Sequence, residues 1–148
     1  MQQIRFKDFD KLKGLLSKVE LFEDFSRYDL PKIAELCDNI QFYEENERII
    51  NKGDSDDSFF ILLSGSARVV KEAAGESVFT LEPGFIFGEI SFLSNTERTK
   101  YVIANERSFA LNISRIKLDS LKPDMRDRIK DYLIQKLVKR IISIESGS

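Results

Sequence analysis

The chain has 148 residues, 42% of them hydrophobic and 32% charged, with a formal net charge of −2. This composition fits one domain with a sizeable core, excludes a disordered chain, and offers no global basic field to attract nucleic acid. Histidine is absent and Cys37 is the one cysteine, which excludes Ser/His/Asp and Cys/His nucleophile systems, the histidine-held metals of cupin-like barrels, and an internal disulfide.

The first forty residues read as helical. Leu12, Leu15, Leu16 and Val19 share one face at helical spacing. Ser26 and Asp29 form a variant capping box that opens a second helix through Ile33, Leu36 and Cys37, with Pro31 early enough to be tolerated. The Leu21–Phe25 link between them is expected to pack its aromatics onto the rest of the domain, and Cys37 to be a small core residue.

From Ile40 the pattern changes to short β segments with glycine and proline punctuation. Candidate strands cover 40–43, 48–51, 59–63, 67–71, 77–81, 100–105 and 108–113. Seven or eight such strands predict a mainly β fold with flanking helices, a double-stranded β-helix or jelly roll. Asp54, Asp56 and Asp57 crowd one turn. The turn lacks the glutamate that closes a twelve-residue calcium loop, so it reads as a solvated turn. A short helix over 114–121 and a long one from Pro123 to about Ile144 complete the chain. On the long helix Ile129, Leu133, Leu137 and Ile141 form one stripe, and Ile134, Val138 and Ile142 a second. A face this wide predicts two contacts, one on the β-roll and one on the same helix of a second copy.

The N-terminus lacks the apolar core of a signal peptide, and no apolar run approaches the roughly 18 residues of a membrane span. With no thiol framework, the expected setting is cytoplasmic.

Residues 84–104 carry the sharpest signal. Gly88-Glu89 opens a short apolar turn and Arg98 follows nine residues after the glutamate. Backbone N–H groups near Gly88 and Ile90 suit a phosphate at the start of a helical turn. Arg98 suits a two-pronged grip on the same anion, and Glu89 can accept a hydrogen bond from a sugar hydroxyl. An ordinary Glu89–Arg98 ion pair is the plainer reading of the same two charges.

Phe87-Gly88-Glu89, the apolar segment, Arg98-Thr99 and the strand Tyr101-Val102-Ile103-Ala104 resemble the phosphate-binding cassette of the cyclic nucleotide-binding domain family. The turn Gly53-Asp54, leading into an aromatic strand that ends at Gly65, resembles the same family. One position departs: Lys100 stands where the family usually has alanine, and it either crowds the cassette or points outward.

The resemblance implies one domain over 1–148, with N-terminal helices to 39, a β-roll over 40–113 and C-terminal lid helices over 114–145. It implies that Arg98 and the N–H groups of Ile90 and Ser91 hold a cyclic phosphate, and that Glu89 and the Gly88 backbone take the ribose 2′-hydroxyl. Thr99 would touch phosphate or base, and Val69, Val78 and Leu81 the base. Lys136, Lys139 and Arg140 are the lid candidates. The implied ligand is cAMP or cGMP, with no cofactor and no catalytic step. The implied partners are a second copy through the C-terminal helix and a separate effector protein. The winged helix-turn-helix that follows the long helix in DNA-binding relatives is not found in these 148 residues, so no direct DNA binding is expected. The alternative is a degenerate roll, a protein-interaction or dimerisation module whose pocket is filled by Lys100 or closed by a Lys100–Glu89 pair. A different phosphorylated ligand, such as a cyclic dinucleotide, fits the same cassette.

Overall fold

The computed structural model describes residues 2–4, 14, 16, 19–23, 25, 29, 32–33, 36, 39–72 and 75–147. Leu12, Leu15, the Ser26 cap, Pro31 and Cys37 lie outside them. The strands are β1 (Gln2–Ile4), β2 (Ile40–Tyr43), β3 (Arg48–Ile50), β4 (Ser58–Ser64), β5 (Ala67–Val70), β6 (Ser77–Leu81), β7 (Ile86–Phe87), β8 (Tyr101–Ala104) and β9 (Ser108–Ser114). A 3₁₀ turn covers Glu20–Phe22, and the helices are α1 (Glu89–Ser94), α2 (Arg115–Asp119) and α3 (Pro123–Gly147). One sheet runs β1-β2-β9-β4-β7 and the other β3-β8-β5-β6, with every pairing antiparallel. This is the double-sheet roll that the strand spacing predicts.

β4 shows how the sequence fills both sides of the first sheet. Ser-Phe-Phe-Ile-Leu-Leu-Ser is apolar throughout its centre, as a strand covered on both faces must be. Phe59, Ile61 and Leu63 point into a core shared with Val19, Leu36, Phe92, Leu118 and Ile129. Phe60 and Leu62 point the other way, into the roll, against Tyr43, Leu81, Val102 and Ala104. The period-2 alternation therefore divides the chain into a helix-side core and a roll core. Gly65 ends β4 at φ +95°, and a Cβ there would lie 2.6 Å from the Arg107 carbonyl oxygen, so the turn needs glycine on both counts.

Leu16 and Ile33 are buried in helical backbone, and Leu21 and Phe22 are buried in the helix-side core with Phe25 packed against it. The Leu21–Phe25 link packs inward, as its aromatics predict. Residues 2–4 correct the helical reading of the N-terminus: Gln2, Gln3 and Ile4 pair with Phe42, Gln41 and Ile40. Three residues are too few to show a period, and the open edge of β2 satisfies their backbone groups.

The long helix also differs from its pattern. Ser114 caps α2 by accepting a hydrogen bond from the Lys117 N–H at 3.2 Å, and Pro123 starts α3 where its missing N–H costs nothing. Met125, Ile129 and Leu133 then bury into the helix-side core. The stripe expected to continue through Leu137 and Ile141 on the roll does not: Leu137 is half-buried and Ile141 is 55% exposed. A helix of 25 residues runs about 37 Å and overshoots the layer it packs on. Ile134, Val138, Ile142 and Ile144 are exposed with it.

Candidate functional site

The site is built where β7, α1 and the loop before β8 meet the Asp54–Ser58 segment. Pro83-Gly84 turns the chain into the two residues of β7, and Gly88 then breaks it at φ 77° to start α1. Glycine is required at 88 twice over. The backbone is left-handed there, and a Cβ would sit 2.9 Å from an Arg98 terminal nitrogen and 3.2 Å from Ile50 Cδ1. The first N–H groups of α1, including those of Ile90 and Ser91, have no partner within the helix, and both residues line the same cleft as Arg98.

Arg98 is 3% exposed. Its backbone is locked to the Gly53-Asp54 turn, with the Arg98 N–H donating to Asp54 at 2.7 Å and the Gly53 N–H to Arg98 at 2.8 Å. Its Nε and one terminal nitrogen donate to the two Asp56 oxygens at 2.9 and 2.7 Å. The guanidinium also donates to the Gly88 carbonyl at 2.6 Å and the Ser58 carbonyl at 2.5 Å. Four of about five guanidinium N–H groups are thus committed within the protein, which fixes the plane of the group and leaves one for a ligand.

Asp56 was not among the residues that the sequence nominates. It belongs to the triplet read as a solvated turn; all three aspartates are exposed, as that reading expects, but Asp56 also binds Arg98 and Asp57 binds Arg115. Nor is Arg98 paired with Glu89; its carboxylate partner is Asp56. Burial pushes the Asp56 carboxyl up, but hydrogen bonds from Arg98 and Ser58 and the Arg98 charge outweigh it and hold the group below its usual range. Glu89 goes the other way. Burial raises its pKa, while its own backbone N–H and the charges of Arg140, Lys136 and Arg98 oppose the rise without cancelling it. Among the described residues no cluster of acidic or thiol groups could hold a metal ion, and no helix is long and apolar enough to cross a membrane.

An open cleft of about 140 Å³ lies above these groups. All ten residues nominated from the sequence line it: Val69, Val78, Leu81, Gly88, Glu89, Ile90, Ser91, Arg98, Thr99 and Arg140. Leu81 belongs to the roll core and Val69 packs against it, whereas Val78 is 54% exposed on the outer strand β6. Ile50, Phe79, Ile86, Phe87, Lys100 and Val102 also line it and were not nominated as contacts. Phe79 stacks on Phe85 at 5.9 Å, and Lys100 is half-buried in the cleft wall. Lys136 sits above Phe85 and Tyr132, 5.9 and 5.7 Å from their ring centres, and acts on Glu89 through its charge. Lys139 is exposed and does not line the cleft.

Residues 40–122 match the sequence profile of the cyclic nucleotide-binding domain. The chain belongs to the cyclic nucleotide-binding domain family. It is 29% identical over 136 residues to the cGMP-dependent protein kinase egl-4 of Caenorhabditis elegans, a match covering 88% of this chain and 17% of that protein. It is 35% identical over 94 residues to the cAMP-dependent protein kinase regulatory subunit of Mucor circinelloides f. lusitanicus, covering 62% of this chain and 22% of that one. The chain thus spans about a fifth of the length of these two curated relatives. Among solved structures, PKAR CBD2 bound to Sp-2Cl-cAMPS superposes with a TM-score of 0.75 at 26% identity, covering 95% of this chain and 92% of that one. The catabolite activator protein of Thermus thermophilus shares the fold, with a TM-score of 0.73 at 22% identity over 86% of this chain and 60% of that one. The cyclic nucleotide-binding domain described here therefore carries the family's β-roll, with its cassette, Arg98 and the long α3 around one cleft.

Proposed function

We propose that this cleft binds a purine 3′,5′-cyclic nucleotide and that α3 couples its occupancy to a partner. The observation that carries the reading is the buried Arg98 guanidinium, held rigid by Asp56 and Gly88 beside the free amides of α1 and the Glu89 carboxylate. In this reading Arg98 and the N–H groups of Ile90 and Ser91 hold the cyclic phosphate. Glu89 and the Gly88 backbone take the 2′-hydroxyl, Thr99 touches phosphate or base, and Val69, Val78 and Leu81 contact the base. A binding role uses these groups without breaking a bond. Arg140 reaches the cleft from α3, so ligand and helix position bias one another. The exposed Ile134, Val138, Ile141 and Ile142 form the surface through which a second copy or an effector reads that position.

Calorimetric titration with cAMP and cGMP, with Arg98→Ala alongside, tests the reading. Micromolar binding of either nucleotide is expected, and losing a charged hydrogen bond should weaken it roughly ten- to hundredfold. A folded protein giving no heat up to millimolar nucleotide would overturn it. Sedimentation of wild type beside Ile141→Lys tests the helix surface: a wild-type dimer that becomes a monomer in the variant is expected for a second copy, and a monomeric wild type or an unchanged dimer would remove the second copy from α3.

A further inference from the structure

Resting on the cyclic-nucleotide reading above, we infer that Lys100 is a positioning residue of the cleft, a second cation that draws the ligand's phosphodiester toward Arg98. Three observations carry this. Lys100 lines the cleft beside Arg98 and Thr99 and is half-buried there. No hydrogen bond or ion pair to Lys100 is found among the described residues, and Glu89 answers to Arg140, Lys136 and Arg98 instead. Arg98 itself is a neutralised anchor, because Asp56 takes two of its donors and the Gly88 and Ser58 carbonyls two more.

The charge at the phosphate end is therefore closed by an internal pair, and the long-range pull on an anion must come from another group. A half-buried lysine in the cleft wall, with no carboxylate partner among the described residues, has its charge left to offer an anion. A flexible ammonium suits that role, since it delivers a point charge without fixing geometry, while the rigid guanidinium sets the plane. The same placement argues against Lys100 closing the pocket: it makes no pair with Glu89, and the cleft stays open with the side chain in its wall.

The test compares wild type, Lys100→Ala, Lys100→Arg and Arg98→Ala by calorimetry with cAMP, cGMP and adenosine, at about 50 and 500 mM salt. Lys100→Ala should weaken cyclic nucleotide about three- to tenfold at low salt and less at high salt. Adenosine, which lacks the phosphate, should bind both proteins alike, and Lys100→Arg should restore the affinity. Equal or tighter binding by Lys100→Ala would overturn the inference while leaving the ligand reading in place. Binding that depends on Lys100 but not on Arg98 would overturn the cassette reading and, with it, the inference that Lys100 draws the phosphate toward Arg98. No binding by any variant would overturn both.

Discussion

Asp56 and Asp57 are neighbours, and each binds an arginine at nearly the same distance, 2.7 Å to Arg98 and 2.8 Å to Arg115. Their surroundings differ. The Arg98 side chain is 2% exposed and its partners close around it, whereas the Arg115 side chain is 28% exposed at the start of α2. Arg115 reaches Phe92 O at 2.5 Å and lies 4.3 Å from the Phe92 ring centre, so it ties the Asp57 loop and the end of α1 to α2. The first pair serves the cleft and the second braces the frame. Length does not separate them; burial does, because water can replace a carboxylate at Arg115 and cannot at Arg98.

The largest effect is expected for Asp56→Ala, which leaves a buried guanidinium without its counter-charge and should cost about 3 kcal/mol or more in urea denaturation. Arg98→Ala should cost less, about 1–3 kcal/mol, because the abandoned Asp56 is 42% exposed and can be hydrated. A reversed order would mean that Arg98 finds water when its partner leaves, and the contrast with Arg115 would fail. Asp57→Ala should stay within about 1 kcal/mol. A loss equal to that of Asp56→Ala would show that the frame pair is as dry as the cleft pair.

Proton linkage sharpens the same contrast. The folded Asp56 carboxyl titrates below its unfolded value of about 3.9, so its contribution is present above that pH and is lost as pH falls through the folded value. The stability gap between wild type and Asp56→Asn should therefore close in acid. Glu89 has the opposite sign. Its folded value is raised above an unfolded value of about 4.3, so its contribution is present below that pH and disappears as pH rises through the folded value. Glu89→Gln should be more stable than wild type at pH 7, with the gap closing near pH 4. Thermal melts at both pH values decide it, and a less stable Glu89→Gln at pH 7 would contradict the burial argument.

The roll was legible because its strands announce themselves locally, by the apolar run of β4 and the glycine turns that end segments. The cassette was legible for the same reason: Gly88, Glu89 and Arg98 lie within eleven residues. What was not legible depends on distance along the chain. The Asp56–Arg98 contact spans 42 residues, and the sequence of an exposed acidic turn does not show which distant cation it will meet. β1 is three residues that become a strand only because β2 offers an edge. The apolar stripes of α3 were visible, but where the helix outruns the roll depends on the layer's width. Lys100 stood out as a departure from pattern, while its place in the cleft wall came only with the fold.

Burial of β4 on both faces has a consequence outside the native state. Ser58–Ser64 is seven residues with no charge, proline or glycine, rich in aromatic and branched side chains. While the chain is being made, or when the sheet opens, that stretch is a template for cross-strand association between molecules. Asp54, Asp56 and Asp57 stand directly before it. Their like charges repel a second copy of the same segment until the arginines arrive, so the turn that anchors the site also guards the strand that follows it from aggregation.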